Sequence, residues 1–393
     1  MDAAELNAYL DDCRDLTLQE IRSIVPTGRG CRSALYDLML DYPLRAAKAL
    51  RPSLCIATCR ALGGRLESVL RSAAVLELYH NAFLLHDDVE DGSENRRGRP
   101  TLHASHGMPV AVNVGDAMLA LVLQPLLDNM RLLGMGKALR ILQVIARMAR
   151  ESTEGQALEL HWIQRREWRL ADSDYARMVY KKTSWYSFIT PMLVGGIVAG
   201  LPAESLATLR RFAALLGIAF QIQDDILNLT AEGDVYGKEI AGDLWEGKHT
   251  LIVMHMMRAA TERERDRART ILCKPRPPHP NETQRNDQFP PTALAEVLTA
   301  LAASGHLTAE GRHAIDAVLP QRDVDSRAVK TPVDVEFLGG LIDRYGSIQY
   351  ARAIAVRLAQ KVDGMLARRG LFSPSIHRDF LQGLVNFVVT RDR

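Results

Sequence analysis

The chain has 393 residues, enough for one large domain or two ordinary ones with a sizeable buried core. Hydrophobic residues make up 47% of it and charged residues 24%, which is typical of a soluble globular protein. The formal net charge of +2 gives no global basic field, so no nucleic-acid partner is expected. The five cysteines form no paired framework and the start of the chain lacks a signal-peptide pattern, so we expect free thiols and a cytoplasmic location.

Helical periodicity dominates the chain. Apolar residues recur three and four positions apart over 31–54, 136–160 and 346–369. No stretch alternates convincingly in twos, and hairpin turns with flanking strands are absent. The sequence therefore predicts an all-α protein, organised as a single domain over residues 1–393.

The segment LLHDDVEDGSENRRGRP at 84–100 concentrates carboxylates, which are followed at once by arginines. On a helix, residues one and four positions apart share a face, so Asp87, Asp88 and Asp91 are expected to crowd one patch. Like charges packed in this way repel each other unless a cation joins them. The pattern predicts a cation site at the end of this helix.

A second acidic cluster follows in FQIQDDILN at 220–228. Asp224, Asp225 and Asn228 repeat the spacing of the first cluster, and the apolar flanks predict a buried helix. Two such helices facing one cavity offer only oxygen donors, which suit magnesium, and magnesium shares its shell with substrate phosphates. The same spacing in DDCRD at 11–15 has no apolar helix behind it and is interpreted as a solvated helix face.

Two further stretches bear on the organisation of the chain. The run WYSFITPMLVGGIVAGL at 185–201 is slightly short for a membrane span and contains a proline, so a buried core helix is predicted and no transmembrane segment. The proline-rich stretch at 273–291 predicts an exposed loop that begins an insertion ending at about residue 331. Core packing is the interpretation for Tyr175, Tyr180, Trp185 and Tyr186.

The order of the motifs points to a known family. LLHDDVED followed by RRGRPTLH is similar to the first aspartate-rich motif of the trans-isoprenyl diphosphate synthases, the polyprenyl synthetase family, and QIQDDILN resembles the second. Further family motifs occur in the expected order: AKALRP, ELYH, NVGDAML, EGQALE, KKT, GDLWEGK and RYGSIQYARAIA. The resemblance covers residues 40–270 and 335–365. It implies an isoprenoid-synthase-type helical bundle around a deep central cavity, usually as a homodimer.

The resemblance also implies a reaction and the residues that carry it. An allylic diphosphate loses pyrophosphate, the double bond of isopentenyl diphosphate attacks the allylic cation, and a proton is lost. The implied magnesium ligands are Asp87, Asp91 and Asp224, with Asp88 and Asp225 orienting waters and the other ligands. The residues implied for the allylic diphosphate are Arg96, Lys182, Lys238, Thr183, Gln221 and Lys248. Those implied for isopentenyl diphosphate are Lys48, Arg51, His80 and Arg97.

Product length in this family depends on bulky side chains below the first motif. Phe83 and Tyr79 lie one and two helical turns before Asp87, which predicts a cavity floor and a short product, geranylgeranyl or farnesyl diphosphate. Two alternatives remain open, a class I terpene cyclase and a non-catalytic subunit of a synthase dimer. The four isopentenyl residues disfavour the cyclase, and the presence of both acidic motifs disfavours the subunit.

Overall fold

The protein is described by a computed structural model that covers residues 1–26, 30–45, 47–230, 241–277, 329–369 and 372–390, with isolated residues between 301 and 311. The first helices are α1 (Ala3–Ile24), a π-helix π1 (Arg32–Tyr36), α2 (Asp37–Leu44), α3 (Leu50–Ala61) and α4 (Leu66–Glu90). Next come α5 (Leu102–His106), α6 (Met108–Leu121), α7 (Leu123–Leu133), α8 (Met135–Arg165) and α9 (Asp172–Val179). These are followed by π2 (Tyr180–Ile189), α10 (Thr190–Ala199), α11 (Ala203–Thr230), α12 (Gly242–Glu246), α13 (Leu251–Ala259) and α14 (Glu262–Leu272). The last are α15 (Pro332–Arg344), α16 (Ser347–Arg369) and α17 (Ile376–Thr390). The all-α prediction is confirmed.

The central helix is α4, which carries the first acidic cluster at its end. Every residue from 72 to 78 is buried, because α3, α6, α7 and α10 pack around the helix. A helix that is apolar on all sides belongs in a core. The first turn is more accessible, with Glu67 exposed, and near the C-terminus Asp87 and Asp91 lie in partly accessible positions.

Helix α8 shows how the sequence pattern leads to the site. Its buried face follows steps of four and three residues, as expected for one stripe of an amphipathic helix. The stripe is apolar in its first half and polar or small in its second half, where it packs against π2. In order, the buried residues are Ala138, Ile141, Ile145, Met148, Glu151, Ser152, Gly155, Glu159 and, in the last turn, the large apolar Trp162.

The apolar run 185–201 forms the end of π2 and all of α10, and 13 of its 17 residues are buried, which confirms the predicted core helix. By length and composition alone, two other stretches, Met108–Leu133 and Ala203–Thr230, are apolar enough to cross a membrane. The second of these carries the acidic pair at 224 and 225, and both pack against other helices, so they are weak grounds for a span.

A short hairpin contradicts the expectation that the chain has none. Strands β1 (Asn95–Arg96) and β2 (Arg99–Pro100) pair antiparallel, with Arg96 opposite Arg99. The two turn residues, Arg97 and Gly98, have φ angles of 53° and 72°. Both values are positive, as the tight two-residue hairpin turn that matches strand twist requires. An arginine at the first turn position is unusual in hairpins of this kind, so the sequence did not predict the hairpin.

The chain divides into two compact units. The first comprises Met1–Asp243, Lys248–Ala259 and Ile342–Arg393, and it contains both acidic clusters. The second comprises Leu244–Gly247 and Ala260–Leu341. Most of the predicted insertion at 273–331 lies outside the described residues, and the single-domain organisation stays a prediction.

The second unit contains a buried lysine. The Lys330 Nζ donates hydrogen bonds to the carbonyl oxygens of Leu244 at 2.6 Å and Trp245 at 2.7 Å. Burial lowers the pKa of this lysine to about 8. The ammonium therefore satisfies carbonyl groups at the end of α12, which have no partner within the helix.

Candidate active site

The three aspartates of the first cluster have different environments. The side chain of Asp87 is 27% exposed, whereas that of Asp88 is 1% exposed. Asp88 accepts hydrogen bonds from the Tyr42 hydroxyl at 2.6 Å and from the Arg96 Nε at 2.9 Å. The expectation that all three carboxylates crowd one patch is therefore wrong for Asp88, because this side chain turns inward to a tyrosine and an arginine.

Arg96 and Asp88 form a buried ion pair. Burial alone would lower the pKa of the Arg96 guanidinium, but the Asp88 carboxylate more than offsets this effect and raises that pKa. The Arg96 Nη2 also lies 3.8 Å from an Asp87 oxygen. The guanidinium is thus fixed between the two neighbouring aspartates, with one side toward Asp87.

The second cluster is held by a chain of hydrogen bonds that joins α9, α11 and π2. The Tyr175 hydroxyl donates to Asp225 at 2.6 Å, and Gln221 donates its amide to the other Asp225 oxygen at 2.8 Å. The Gln221 carbonyl oxygen accepts from the Thr183 hydroxyl at 2.9 Å. Burial and the nearby Asp243 carboxylate raise the pKa of Asp225. Asp225 is thereby fixed, while Asp224 remains partly accessible.

Two of the predicted lysines contact the acidic residues. Lys182 forms a hydrogen-bonded ion pair with Glu159 of α8, and its Nζ lies 3.6 Å from an Asp87 oxygen. Burial opposes its charge, yet Glu159 and Asp87 together raise the pKa of Lys182. Lys248 donates to Asp91 at 3.0 Å. The third lysine, Lys238, lies outside the described residues.

Close packing of Gly155 fixes the backbone of Lys182. A Cβ atom added to Gly155 would lie 2.2 Å from the Lys182 amide nitrogen. Real Cβ atoms essentially never approach so closely, so only glycine lets α8 and π2 come this near each other. The glycine of the EGQALE motif is therefore explained by helix contact at the site.

The accessible carboxylates suit a metal that is shared with the substrate. Within the described residues, no group of three or more histidine, cysteine, aspartate or glutamate side chains could hold a metal ion by itself. Magnesium usually takes one or two protein carboxylates and completes its shell with waters and substrate phosphates. Asp87 and Asp91 at the end of α4, and Asp224 on α11, offer such oxygens. The residues therefore fit a divalent cation that arrives with a diphosphate.

The four residues predicted for isopentenyl diphosphate line one cavity of about 160 Å³. Lys48, Arg51, His80 and Arg97 come from separate positions on α3, α4, the hairpin and the segment before α3. Burial and the positive charges of Arg51 and Arg97 lower the pKa of His80 well below its usual value. The pocket therefore concentrates positive charge on its arginines and lysine, as a diphosphate site needs.

The same cavity is lined by residues that were not predicted from the sequence, among them Glu77 and Phe387. Within the described part of the chain, the Glu77 Oε2 and His80 Nδ1 atoms are buried without a hydrogen-bond partner. The Lys48 Nζ lies 5.1 Å from the centre of the Phe387 ring on α17, which also lines the cavity. Glu77 belongs to the ELYH motif, so that motif was the available signal. Nothing local in the sequence indicated Phe387, more than three hundred residues from Lys48.

A second cavity of about 180 Å³ is lined by Asp87, Lys182, Phe83, Leu119 and Tyr186. Phe83 therefore faces the cavity below Asp87, where a chain-length floor was predicted. Tyr79 is not among the lining residues of this cavity, and its ring packs edge-on against Phe83 with centroids 5.9 Å apart. Tyr186 packs against the core, as interpreted from the sequence, and it also lines this cavity.

The chain is similar to isoprenyl diphosphate synthases in sequence and fold. A family model described as polyprenyl synthetase matches residues 33–285. The short chain isoprenyl diphosphate synthase of Methanocaldococcus jannaschii is 31% identical over 255 residues, which cover 65% of this chain and 76% of that protein. Crystal structures of the geranylgeranyl pyrophosphate synthetase from Pyrococcus horikoshii and of a polyprenyl synthase from Caulobacter crescentus are also similar. The first has a TM-score of 0.77 at 27% identity and covers 100% of both chains. The second, complexed with calcium and isoprenyl diphosphate, has a TM-score of 0.75 at 23% identity and covers 100% of this chain and 98% of its own.

These findings define a class of protein, an α-helical synthase with paired acidic clusters. The chain belongs to the polyprenyl synthetase family. It is a prenyltransferase enzyme, and its family uses a divalent metal ion. The resemblance seen in the motifs is confirmed.

Proposed function

We propose that the enzyme is a short-chain trans-prenyltransferase that condenses isopentenyl diphosphate with allylic diphosphates to give geranylgeranyl or farnesyl diphosphate. One observation carries the proposal. A cavity rich in lysine and arginine, with no part in the acidic clusters, lies beside a cavity that is headed by Asp87 and Lys182. A terpene cyclase ionises one diphosphate and has no use for the first cavity.

Ionisation of the allylic diphosphate needs a leaving pyrophosphate whose charge is neutralised. Magnesium bound at Asp87, Asp91 and Asp224 would supply Lewis-acid neutralisation of that charge. Lys182 contributes a fixed positive charge beside Asp87, since the surrounding carboxylates raise its pKa. Arg96 adds donors held in place by Asp88. Donors fixed before the reaction stabilise developing charge without reorganising.

The second substrate is held by Lys48, Arg51 and Arg97. The planar guanidinium groups of the two arginines match diphosphate oxygens in two-point fashion, and the lysine adds a point charge. Its double bond then attacks the allylic cation, and water must be kept from the cation at that point because water would quench it. The released pyrophosphate accepts the proton that the product loses. No side chain is assigned as the general base.

An assay with isopentenyl diphosphate, allylic diphosphates and magnesium tests the activity. The expected result is an elongated linear diphosphate. A cyclic hydrocarbon would instead support a class I cyclase, and an inactive chain that activates a partner would support a non-catalytic subunit. Removal of divalent metal should abolish turnover, and magnesium should restore it.

Phe83 is proposed as the floor that sets product length, since it lines the cavity that Asp87 heads. Phe83→Ala should lengthen the product by about one isoprene unit, a length comparable to one helical turn. Removing Tyr79 as well, which packs behind Phe83, should lengthen it further. Phe380→Leu, a change at a buried ring on α17, is the control for lost stability alone. Unchanged products from the folded double variant would contradict the floor.

A homodimer is proposed on the face of α6, α7 and α8. Large apolar side chains there are exposed, including Leu127 at 46% and Met135 at 66%. Exposed apolar patches mark interaction surfaces. Light scattering should give twice the chain mass for the native enzyme and the single-chain mass for a Leu127→Glu/Met135→Glu variant. Ile376→Glu, a change at an exposed apolar residue on α17, should leave the mass doubled. A monomeric native enzyme would contradict the dimer.

The enzyme is proposed to be cytoplasmic. All five cysteines are free, which agrees with a reducing compartment. Fractionation of cells that produce the protein should recover it with cytoplasmic markers. Recovery in a membrane or secreted fraction would contradict the assignment.

A further inference from the structure

Arg51 is held from one side by two neighbouring residues of π2. Its Nη2 donates to the Ser187 hydroxyl at 2.8 Å. The centre of its guanidinium lies 4.5 Å from the centre of the Tyr186 ring, a distance typical of a cation–π contact. The Arg51 side chain has several rotatable bonds, and the positive charge of the nearby Arg97 repels it. The contacts with Ser187 and Tyr186 restrict where its guanidinium can lie.

The same π-helix carries residues assigned to the other substrate. Lys182 and Thr183 precede Tyr186 and Ser187 by four residues, and all four belong to π2. In an α-helix, positions five apart such as 182 and 187 are separated by about 140° around the axis. A π-helix closes its hydrogen bonds over five residues, so such positions come closer to one face. The π-helical geometry therefore lets π2 present Lys182 to one cavity and Ser187 to Arg51 of the other.

The Tyr186 ring lies between the two cavities. It stacks on His80 of the cation-rich cavity with centroids 5.9 Å apart. It also meets Phe83 of the other cavity edge-on at 5.7 Å, and it lines that cavity. One ring thus contacts a residue of each substrate pocket as well as Arg51.

We propose that Ser187 and Tyr186 are positioning residues for isopentenyl diphosphate, which fix the Arg51 guanidinium toward its diphosphate from the helix that carries Lys182 and Thr183. The inference rests on the proposed function, because it assumes that Arg51 binds this substrate. Neither residue touches the diphosphate in this role. Each acts through Arg51.

The central test is the Michaelis constant for each substrate in a Ser187→Ala variant. Loss of a hydrogen bond to a charged group should raise the constant for isopentenyl diphosphate about tenfold. The constant for the allylic diphosphate should stay within about twofold, because Lys182 and Thr183 are untouched. Ser184→Ala is the matched control. It also removes a buried hydroxyl of π2, but that hydroxyl donates to the Ala214 carbonyl oxygen and not to Arg51. An equal rise in both constants, or none, overturns the proposal.

The ring is tested by comparing two substitutions. Tyr186→Leu removes the aromatic face and should raise the isopentenyl constant about fivefold, the size of a partly exposed cation–π contact. Tyr186→Phe keeps the ring, so its constant should lie closer to that of the native enzyme. If leucine and phenylalanine give the same constant, the ring does not position Arg51.

A double-mutant cycle separates this inference from the proposed function. If Ser187 acts through Arg51, then Ser187→Ala should have no further effect on the isopentenyl constant in an Arg51→Ala background. An Arg51→Ala variant with a native isopentenyl constant would overturn the assignment of the pocket itself. A strong effect of Arg51→Ala combined with none from Ser187→Ala would overturn only the positioning role.

Discussion

The adjacent aspartates Asp87 and Asp88 should respond in opposite ways to replacement by alanine. Asp88→Ala leaves the guanidinium of Arg96 buried without its partner, and the Tyr42 hydroxyl loses its acceptor. Breaking a buried ion pair from one side costs about 3–5 kcal/mol. Since whole proteins are stable by roughly 5–15 kcal/mol, this loss is a large fraction of the total. We expect the melting temperature to fall on the order of 10 °C.

Asp87→Ala should instead leave stability almost unchanged. This side chain is partly exposed, and its cationic neighbours lie 3.6 Å away at Lys182 and 3.8 Å away at Arg96. Ion pairs in such positions contribute about 0–1 kcal/mol. Turnover should nevertheless fall about a hundredfold or more, as it does when other stabilisers of transition-state charge are removed.

The measurement is thermal unfolding of both variants, followed by circular dichroism without metal or substrate, together with turnover of each in the presence of magnesium. Replacing Arg96 as well as Asp88 by alanine should recover part of the lost stability, because no buried charge is then left alone. Equal melting temperatures of Asp88→Ala and the native protein, or equal losses of stability in Asp87→Ala and Asp88→Ala, would contradict these different roles.

Three other outcomes follow from the structure. Gly155→Ala should separate α8 from π2 at Lys182 and lower both turnover and melting temperature, and native values for both would contradict the close contact. Arg97→Ala should raise mainly the Michaelis constant for isopentenyl diphosphate, whereas Arg96→Ala should impair mainly use of the allylic diphosphate; identical effects on both substrates would reject this division. Burial lowers the pKa of His249 to about 4, so between about pH 6.5 and 4 the unfolded chain binds a proton that the folded chain does not, and stability falls as pH falls. Urea unfolding between about pH 6.5 and 4 measures the effect. As pH falls, the free energy of unfolding of His249→Phe should fall less than that of the native protein, by up to roughly 3 kcal/mol at the acid end. Parallel plots of this free energy against pH for the two proteins would show that His249 is not the cause.

The helices and the two acidic clusters of the candidate site were predictable because both follow from local spacing. The stripe on α8 repeats every three and four residues, and the two acidic clusters have apolar helices behind them. The copy of the spacing at 11–15 lies on α1 with its aspartates exposed, as its polar surroundings predicted. The helix itself is not solvated, because Leu10 and Cys13 on its other face are buried in the core. Local pattern therefore predicted the exposed face of α1 but not its buried one.

The different environments of identical residues were not predictable, because they depend on distant parts of the chain. Asp88 differs from Asp87 through Tyr42, which is 46 residues away. Tyr186 has the same apolar neighbours in sequence as a core residue, and only the approach of Arg51 from α3 gives it another role. The left-handed conformation of Arg97 likewise depends on the hairpin that β1 and β2 close.

The acidic residues of the candidate site are paired with cationic side chains of the chain itself. Lys248 neutralises Asp91, and Lys182 lies between Glu159 and Asp87, so these carboxylates are balanced by the chain's own cations. In the proposed function, binding of the metal and the diphosphates would replace these ion pairs with others. In that function Asp87 and Asp91 bind the metal, so each has two kinds of cationic partner, a lysine of the chain and the metal ion.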